Sequence, residues 1–343
     1  MKLLLFGGAG FIGTNIVREA LSRGHGVVVF DNLERKGVDR NLSFFSSEKW
    51  LTFIKGDIRN EKDLGKIPTN IDCIINLAAN PSVPRSIIDP LYDFQINVVG
   101  HLTVLEYARK NGNIPVILAS SNKVYTDKLN TYQLVETATR YRFRDKRLVH
   151  GVDETADVDG WDGFTNSPYG VAKLAAEKYS REYWKHYGVP IVINRMGCVY
   201  GEFQKGVEEQ GWVDWFLRAK RGGHTLTIYG DGKQVRDVLF GADVARLYID
   251  EAEKMSTLSG ATFNVGGGTR PGYHTSLLEL IGLIDDMFPG KKLVLRYAPW
   301  RSSDQRVYLS DIRRVTRATG WKPTTRIKRG LRRMWEAYER YGE

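Results

Sequence analysis

Two residues in the stretch SPYGVAKLAAEKYSREYWKHYG, Tyr169 and Lys173, are of types whose spacing allows proton chemistry. Residues four apart in a helix share one face, so the lysine ammonium would lie beside the phenol. A nearby positive charge favours the ionised form of a phenol and lowers its pKa. The pair therefore predicts a tyrosine that takes and returns a proton. A YxxxK spacing alone is more typical of a packed tyrosine beside a solvated lysine. A catalytic role for the pair therefore needs support from other motifs in the chain.

The helix that would carry this pair has clear ends in the sequence. Ser167 fits the N-terminal capping position, and Pro168 fits the first helical position, where a missing N–H is tolerated. Gly188 is typical of the residue that follows a helix C-terminus. We therefore expect one helix between Ser167 and Gly188 that presents both candidate catalytic residues on one face.

A glycine-rich turn near the N-terminus predicts a dinucleotide site. The apolar run KLLLF is followed by GGAGFIG and then by an amphipathic helical pattern. Gly8, Gly10 and Gly13 match G-x-G-x-x-G, and Gly7 gives a second register, G-x-x-G-x-x-G. A turn without Cβ atoms lets the backbone approach a pyrophosphate at the N-terminus of the helix. The order strand, glycine turn, helix is the context that this motif requires.

Asp31 discriminates between the two nicotinamide dinucleotides. It ends the second apolar strand, 18 residues after Gly13. A carboxylate at this place accepts hydrogen bonds from the ribose hydroxyls and repels a 2′-phosphate, so NAD is favoured over NADP. Arg35 and Lys36 stand close by and act against this preference, because cations attract a phosphate.

Alternating elements predict the fold class. Four further apolar runs, most of them followed by helical patterns, are strand candidates at residues 27–30, 51–55, 72–76 and 115–119. This rhythm predicts an α/β fold with a doubly wound parallel sheet of the Rossmann type. Ligands bind such sheets at the carboxyl ends of the strands. The polar residues there, Asp57 and the segments 77–80 and 120–125, are therefore expected on one rim beside the glycine turn.

The chain is expected to form two units. Residues 1–189 would be the NAD-binding Rossmann domain that carries the catalytic residues, and residues 190–343 would mainly form a smaller α/β substrate-binding lobe. Some segments after residue 190 would return to the Rossmann sheet. Residues 126–166 lose periodicity and are rich in charge. Because this long loop joins two candidate site segments, a lid or rim for a second ligand is favoured over a disordered linker.

Composition argues against several classes of protein. The 343 residues contain two cysteines, Cys73 and Cys198, which favours a reducing compartment over a disulfide framework. Six scattered histidines give no metal-ligand spacing. Neither a signal peptide nor a transmembrane run is found, so a cytoplasmic protein without membrane contact is expected. Residues 313–343, with ten Lys/Arg and three acids, carry much of the +10 charge. Their helical pattern favours a solvated face over a nucleic-acid surface.

Three arginines, Arg195, Arg236 and Arg301, lie in segments that contain glycine or serine. The forked guanidinium group suits phosphate binding, so all three are candidates for holding a phosphate. Each of them alone is more typical of a surface or packing arginine.

Several motifs together resemble one family. GGAGFIG, the aspartate that ends the second strand, GDIR, LAA, SSNKVY and SPYGVAK resemble the extended short-chain dehydrogenase/reductase family of NAD-dependent sugar-nucleotide epimerases and dehydratases, over essentially the whole chain. The resemblance implies a catalytic set of Ser121, Tyr169 and Lys173, with a homodimer or homotetramer as the usual assembly.

The resemblance also implies two sets of binding residues. An arginine in a VRD segment and an R-x-x-D segment would hold the nucleotide diphosphate. The residues expected to bind the cofactor are Gly7, Gly10, Phe11, Ile12, Gly13, Asp31, Asn32, Arg35, Lys36, Asp57, Ile58, Leu77, Ala78, Ala79, Asn97, Tyr169 and Lys173. Those expected to bind the nucleotide sugar are Ser121, Asn122, Cys198, Trp212, Arg236, Arg301 and Asp304.

Within that family the chain looks most like the 2-epimerases of CDP-sugars. DNLERKG, SSNKVY followed by a loop with ETATRY, QGWVDWF, GKQVRDV and SDQRVYLSD carry this resemblance. It implies inversion at C2 of the sugar through a transient ketone, with NAD as hydride acceptor and donor. Phe6, Thr126 and Ser121 depart from the usual residues without affecting this chemistry. Extra residues before SPYG, which border the expected sugar pocket, leave the identity of the sugar open.

Other activities remain as alternatives. A 4,6-dehydratase is disfavoured, because that class carries Asp-Glu after the catalytic Ser or Thr, whereas this chain has Asn122 and Lys123. A 4-epimerase of a UDP-hexose or another nucleotide hexose is the runner-up, since it uses the same three catalytic residues. A non-catalytic NAD sensor or RNA-binding relative tends to lose the tyrosine or lysine, and both are present here.

Overall fold

The computed structural model describes residues 1–301 and 304–341. The strands in this part of the chain are β1 (Lys2–Phe6), β2 (Gly26–Asp31), β3 (Leu51–Lys55), β4 (Cys73–Asn76), β5 (Val116–Ser121), β6 (Leu134–Glu136), β7 (Tyr141–Phe143), β8 (Ile191–Met196), β9 (Cys198–Tyr200), β10 (Leu226–Tyr229), β11 (Val235–Phe240), β12 (Thr262–Val265), β13 (His274–Ser276), β14 (Leu295–Ala298) and β15 (Val307–Tyr308).

The α-helices are α1 (Phe11–Ser22), α2 (Asp39–Ser43), α3 (Glu61–Leu64), α4 (Val83–Ile88), α5 (Pro90–Phe94), α6 (His101–Lys110), α7 (Pro168–Tyr187), α8 (Trp212–Gly222), α9 (Gly241–Glu253), α10 (Met255–Leu258), α11 (Leu277–Met287), α12 (Arg313–Thr319) and α13 (Ile327–Tyr341). A π-helix spans Gln95–Gly100, and short 3₁₀ turns lie at Asn122–Val124, Asp127–Thr131 and Lys146–Leu148.

A seven-stranded sheet in the order β12-β8-β5-β4-β1-β2-β3 forms the centre of the molecule. Every neighbouring pair of strands in it is parallel. Strands β4 and β5 are buried along their whole length, which explains why they appear as continuous apolar runs in the sequence. The predicted strand bounds agree with the structure to within two residues, and the predicted doubly wound α/β fold is confirmed.

The two faces of this sheet bury separate hydrophobic clusters. Leu3 and Leu5 of β1 belong to the cluster that includes residues of α1 and α9, whereas Leu4 and Phe6 belong to the one that includes residues of α6 and α7. Successive side chains of a strand point to opposite faces, so a strand covered by helices on both sides must be apolar throughout.

The remaining strands form a smaller unit beside the carboxyl end of the sheet. Strand β11 pairs with β9, β13 and β15, and β10 pairs with β14. Residues of α8, α11 and α13 share a core with them. Strands β8 and β12, which follow residue 189, lie in the seven-stranded sheet. The division of the chain at residue 189 therefore stays a prediction, because the large sheet takes strands from both sides of it.

The long segment 126–166 contains short ordered elements. Strands β6 and β7 pair in an antiparallel hairpin, and Val152 bridges to Ser310. Val124, Tyr125, Leu129 and Val152 form a small hydrophobic cluster with Tyr308 of β15. The segment therefore packs against β15 of the smaller unit.

Helix α7 has the predicted caps. The Ser167 hydroxyl accepts a hydrogen bond from the N–H of Gly170, Pro168 occupies the first turn, and Gly188 ends the helix with φ of 72°. That left-handed conformation favours glycine. Among the described residues, no helix is long and apolar enough to cross a membrane.

Candidate active site

A cavity of about 620 Å³ opens at the carboxyl end of the seven-stranded sheet. The predicted cofactor residues on its wall are Gly7, Gly10, Phe11, Ile12, Gly13, Asp31, Asn32, Arg35, Lys36, Asp57, Ile58, Leu77, Ala78, Ala79, Tyr169 and Lys173. Asn97 is the exception. The structure thus brings together residues from several separate strand ends, as expected for a parallel sheet.

The glycine turn provides close backbone packing at this cavity. Gly7 has φ of 73°, and a Cβ atom there would lie 2.7 Å from the backbone nitrogen of Ala78. A Cβ atom at Gly13 would lie 2.5 Å from the Cα of Gly8. Gly10 begins α1 without a side-chain cap, so the first-turn amides are available to an anion. This cradle fits the pyrophosphate of a dinucleotide.

The Asp31 carboxylate is held in place by two backbone amides. Its Oδ2 accepts a hydrogen bond from Ala9 N at 3.0 Å, and its Oδ1 accepts one from Leu33 N at 2.8 Å. Burial raises the pKa of Asp31, and these two bonds act in the opposite direction. The geometry suits a fixed acceptor for ribose hydroxyls, which is the feature that favours NAD.

Arg35 contacts a loop that the sequence did not identify. Its guanidinium donates to the carbonyl of Lys205 at 3.0 Å and to Oε1 of Gln210. Lys205, Gly206 and Gln210 line the cavity as well. The loop 205–210, which we call the covering loop, therefore closes one side of the cofactor cavity. Its last residue, Gln210, begins QGWVDWF, but no pattern in residues 205–209 predicts contact with a cofactor, because the position of the loop depends on the tertiary packing of β9 and α8.

Asp57 forms a second polar corner of the cavity. Arg59 donates to its two carboxylate oxygens at 2.9 and 2.6 Å, and Asn32 Nδ2 donates at 3.0 Å. The hydrogen bonds from Arg59 lower the pKa of Asp57 to about 2 against the opposing effect of burial. A carboxylate at this place is therefore ionised at neutral pH.

Two of the three predicted catalytic residues, Tyr169 and Lys173, line the cavity, and the third, Ser121, lies next to Tyr169. The Tyr169 hydroxyl is hydrogen-bonded to the Ser121 side chain. Lys173 Nζ donates to the carbonyl of Ala119 at 3.0 Å and lies 6.0 Å from the centroid of the Tyr169 ring. All three side chains are buried. Strand β5 and helix α7 thus place a phenol, a hydroxyl and an ammonium around one point.

The pKa of the tyrosine differs from the sequence prediction. Burial raises the pKa of Tyr169 to about 12, the bond to Ser121 lowers it, and the charge of Asp93 raises it. Burial also lowers the pKa of Lys173 to about 8, opposed by Asp93 and Glu177. The expected lowering of the Tyr169 pKa is therefore not found, because burial and the charge of Asp93 outweigh any effect of the Lys173 ammonium.

Asn97 lies behind the cavity wall. Its Nδ2 donates to the carbonyl of Asn80 at 3.1 Å and to Asp93 Oδ1 at 2.8 Å, and Asn80 Nδ2 donates to the same oxygen. Asn80 itself lines the cavity. The π-helix thus places Asn97 where it positions Asn80 and Asp93, whereas the sequence predicted direct cofactor contact.

The predicted substrate residues form a separate set that does not line the cofactor cavity. Arg236 Nη2 donates to Asp304 Oδ1 at 2.5 Å. Arg301 stacks over the Tyr229 ring at 3.9 Å and donates to the carbonyl of Glu208, in the covering loop, at 3.0 Å. The segment between Arg301 and Asp304 falls outside the described residues.

Two further pairs belong to this set. Asn122 Nδ2 donates to Gln305 Oε1 at 3.3 Å, and Trp212 Nε1 donates to Cys198 Sγ at 2.9 Å. These residues come from four distant segments, so their proximity depends on the packing of the smaller unit.

Arg195 has a structural role. Its guanidinium is buried and pairs with both carboxylate oxygens of Glu177, with contacts of 2.8 to 3.2 Å. Glu177 also accepts a hydrogen bond from Ser120 Oγ at 2.6 Å. The arginine thus anchors α7 to β5 and β8, and the phosphate-binding hypothesis for it was wrong.

Fold and site together define a dinucleotide-binding α/β protein with a tyrosine–lysine pair at the cofactor. A profile described as "NAD dependent epimerase/dehydratase family" matches residues 3–266. The chain belongs to this family. The predicted family, fold class and NAD cofactor are confirmed at this level.

Relatives with known names support the same family. The chain is 40% identical to the CDP-paratose 2-epimerase of Salmonella typhi, over 98% of each chain. It is 30% identical to a putative UDP-glucose 4-epimerase of Methanocaldococcus jannaschii, over 97% of this chain and 96% of that one. The dTDP-glucose 4,6-dehydratase DesIV of Streptomyces venezuelae, solved with NAD and TYD bound, superposes with a TM-score of 0.82 at 27% identity, covering 99% of this chain and 97% of that one.

Proposed function

We propose that the protein is an NAD-dependent epimerase that inverts C2 of the sugar in a CDP-sugar, of the CDP-paratose/CDP-tyvelose or CDP-glucose/CDP-mannose type. The 40% identity to a CDP-paratose 2-epimerase along the full chain carries this proposal. Tyr169 and Lys173 at the cofactor cavity, with Ser121 next to Tyr169, support it, because inversion at an unactivated carbon needs a transient ketone.

In the proposed mechanism, Tyr169 takes the proton of the sugar 2-hydroxyl and later returns it. Bound NAD supplies a hydride acceptor and donor, so it is regenerated in each cycle. Ser121 hydrogen-bonds the same sugar oxygen and keeps it beside the phenol. Lys173 holds a positive charge behind the ring, which favours the ionised phenol during the transfer. Arg236 and Arg301 hold the diphosphate while the 2-keto sugar turns its other face to the cofactor.

Incubation with CDP- and UDP-hexoses, followed by NMR assignment of the inverted carbon, tests this function. We expect inversion at C2 of a CDP-sugar, with no solvent deuterium at carbon in D2O. A substrate deuterated at C2 should keep its label. Solvent deuterium at C2 would reject the 2-keto route with an enclosed hydride and indicate elimination chemistry.

A 4-epimerase is the second candidate. The UDP-glucose 4-epimerase of Thermotoga maritima, solved with UDP-glucose, superposes with a TM-score of 0.82 at 28% identity, over 100% of each chain. Inversion at C4 with C2 untouched in the same NMR experiment would favour this candidate. In a dehydratase, acidic residues would be expected at positions 122 and 123, where this chain has Asn122 and Lys123.

We also propose that the protein acts in the cytoplasm as a homodimer or homotetramer, without nucleic acid. The adjacent helices α4, α5 and α7 support an assembly, because Ile88 and Leu91 are 79% and 69% exposed and Val171 and Tyr179 are exposed nearby. Light scattering after size-exclusion chromatography measures the state. A monomer at all concentrations would contradict this proposal.

A further inference from the structure

Lys123 is tied to the catalytic elements by its backbone. It follows Ser121 by two residues, and its N–H donates to the Ser121 hydroxyl oxygen at 3.2 Å. Its carbonyl lies against the start of α7, so close that a Cβ atom at Gly170 would come within 2.2 Å of it. The position of Lys123 is therefore fixed relative to Ser121 and Tyr169.

The side chain of Lys123 reaches toward the predicted substrate residues. Its Nζ lies 4.0 Å from Asp304 Oδ1, the oxygen that also accepts the hydrogen bond from Arg236. The side chains of these three residues are 12 to 21% exposed. Two cations thus share one carboxylate in a region with little solvent exposure. Lys123 lies there between Ser121, which is proposed to bind the sugar, and Arg236, which is proposed to bind the diphosphate.

The charges of this cluster leave an excess of one positive unit. Burial lowers the pKa of Lys123 to about 8, with Asp304 raising it and Arg236 lowering it further. Burial alone would raise the pKa of Asp304, yet Arg236 and Lys123 hold it below its usual value. Asp304 is therefore ionised, and Lys123, Arg236 and Asp304 together carry a net positive charge. A phosphate that enters between Lys123 and Arg236 would be attracted by both cations.

We propose that Lys123 binds the sugar-bearing phosphate of the nucleotide diphosphate, next to the phosphate held by Arg236. This proposal rests on the proposed function for its substrate class. Lys123 then fixes the distance between the reacting carbon at Ser121 and the diphosphate. It is a binding and specificity residue, and its charge is opposite to that of the acidic pair expected here in a dehydratase.

The test compares two nucleotides that differ by one phosphate. Binding of CDP and CMP to the NAD-loaded protein is measured by calorimetry for the wild type, K123Q, K123R and the control K128Q. Lys128 lies in the 3₁₀ turn Asp127–Thr131, and its ammonium pairs with Asp162 at 2.6 Å. Loss of a charge-assisted contact should weaken CDP binding to K123Q by about tenfold. CMP binding should change little, and K128Q should match the wild type.

The matched variants separate charge from packing. K123R keeps a cation and should retain most of the CDP affinity, whereas K123Q should raise KM for the nucleotide sugar with kcat nearly unchanged. Equal weakening of CDP and CMP would overturn the proposal. So would K123R binding CDP as poorly as K123Q, or a loss of kcat with unchanged CDP affinity.

Failure of the proposed function would look different. If the wild type prefers UDP to CDP, or inverts C4, the proposed 2-epimerase reaction is wrong. The calorimetric comparison of wild type and K123Q is then made with UDP and UMP. The assignment of Lys123 then stands or falls on whether K123Q weakens the diphosphate selectively. Binding needs no turnover, so this result does not depend on which carbon reacts.

Discussion

The cofactor cavity and the substrate cluster are built in opposite ways. The floor of the cavity at the glycine turn is made of backbone, with Gly7 and Gly13 packed against neighbouring main chain. The substrate cluster, by which we mean Lys123, Arg236 and Asp304, is made of charged side chains that pair with one another. Backbone positions are fixed by the sheet, whereas charged side chains can exchange partners. The first region is therefore preformed, and the second is arranged to trade internal ion pairs for ligand contacts.

This contrast fits the proposed cycle. NAD is regenerated at each turnover and has no need to leave, so a preformed cavity suits it. The sugar nucleotide must enter and leave, and the sugar must turn while the diphosphate stays bound. A cluster whose cations are already paired with Asp304 loses less on release of the ligand, because its charges are not left alone.

The largest effect is expected where the two regions meet. Y169F removes the proton acceptor and keeps the ring packing, so turnover should fall by at least about a hundredfold. NAD content and melting temperature should stay close to the wild type, since the ring is retained. Steady-state kinetics with the identified nucleotide sugar measures the loss. A variant with most of its activity would refute the role of Tyr169.

A single added methyl group at Gly13 should disturb the preformed cavity and weaken NAD binding. G13A places a Cβ atom 2.5 Å from the Gly8 backbone, so NAD affinity should fall by about tenfold or more as the turn shifts. G282A is the matched control, because Gly282 also lies inside a helix but its Cβ would meet no atom within 4 Å. It should keep NAD affinity and gain up to about 1 kcal/mol of stability. Equal NAD affinity in G13A and G282A would contradict the proposal that the glycine turn binds the pyrophosphate of NAD.

The substrate cluster should respond in KM alone. R236Q removes one partner of Asp304 and one proposed diphosphate ligand, so KM for the nucleotide sugar should rise by about tenfold. NAD retention after gel filtration should be unchanged, since Arg236 does not line the cofactor cavity. Loss of NAD from R236Q would show that the two regions are not separable.

The smallest effect concerns a buried acid beneath the large sheet. Glu251 is fully buried, accepts a hydrogen bond from Asn194 Nδ2 at 2.6 Å, and burial raises its pKa to about 8. Between its ordinary value of 4.5 and about 8, the unfolded state binds fewer protons than the native state, so this group lowers stability as pH rises.

E251Q should therefore melt at the same temperature as the wild type near pH 5 and a few degrees higher near pH 8. Thermal unfolding across this range measures the difference. E336Q, at an exposed position of α13, is the control and should show no widening gap. A gap that narrows with increasing pH would have the wrong sign for a buried neutral carboxyl.

The sequence predicted the preformed region well because its determinants are local. The glycine turn, Asp31 and the caps of α7 each lie within one supersecondary unit, and the parallel sheet brings strand ends to one rim. The structure places Asn97 one layer behind this rim, in a π-helix, where it donates to Asn80 and Asp93.

For the substrate cluster, the sequence predicted Arg236 and Asp304 as site residues, but it did not predict which side chains pair with each other. Which carboxylate meets Arg236, and why Arg195 is buried against Glu177, depends on contacts between segments far apart in the chain. The covering loop was missed for the same reason. The pKa of Tyr169 was predicted in the wrong direction, because sequence spacing shows neighbouring charges and not desolvation.

Gly170, the last residue of the motif SPYG, is required by the packing of the backbone and not by the proton chemistry. The residue after the catalytic tyrosine has no room for a side chain, because the Lys123 carbonyl occupies the space. Its intolerance to substitution would arise from steric fit, although it sits inside a catalytic signature. In a saturation mutagenesis screen, position 170 would therefore score as severely as position 169. Only the folding yield of the variants would separate a chemical requirement from a geometric one.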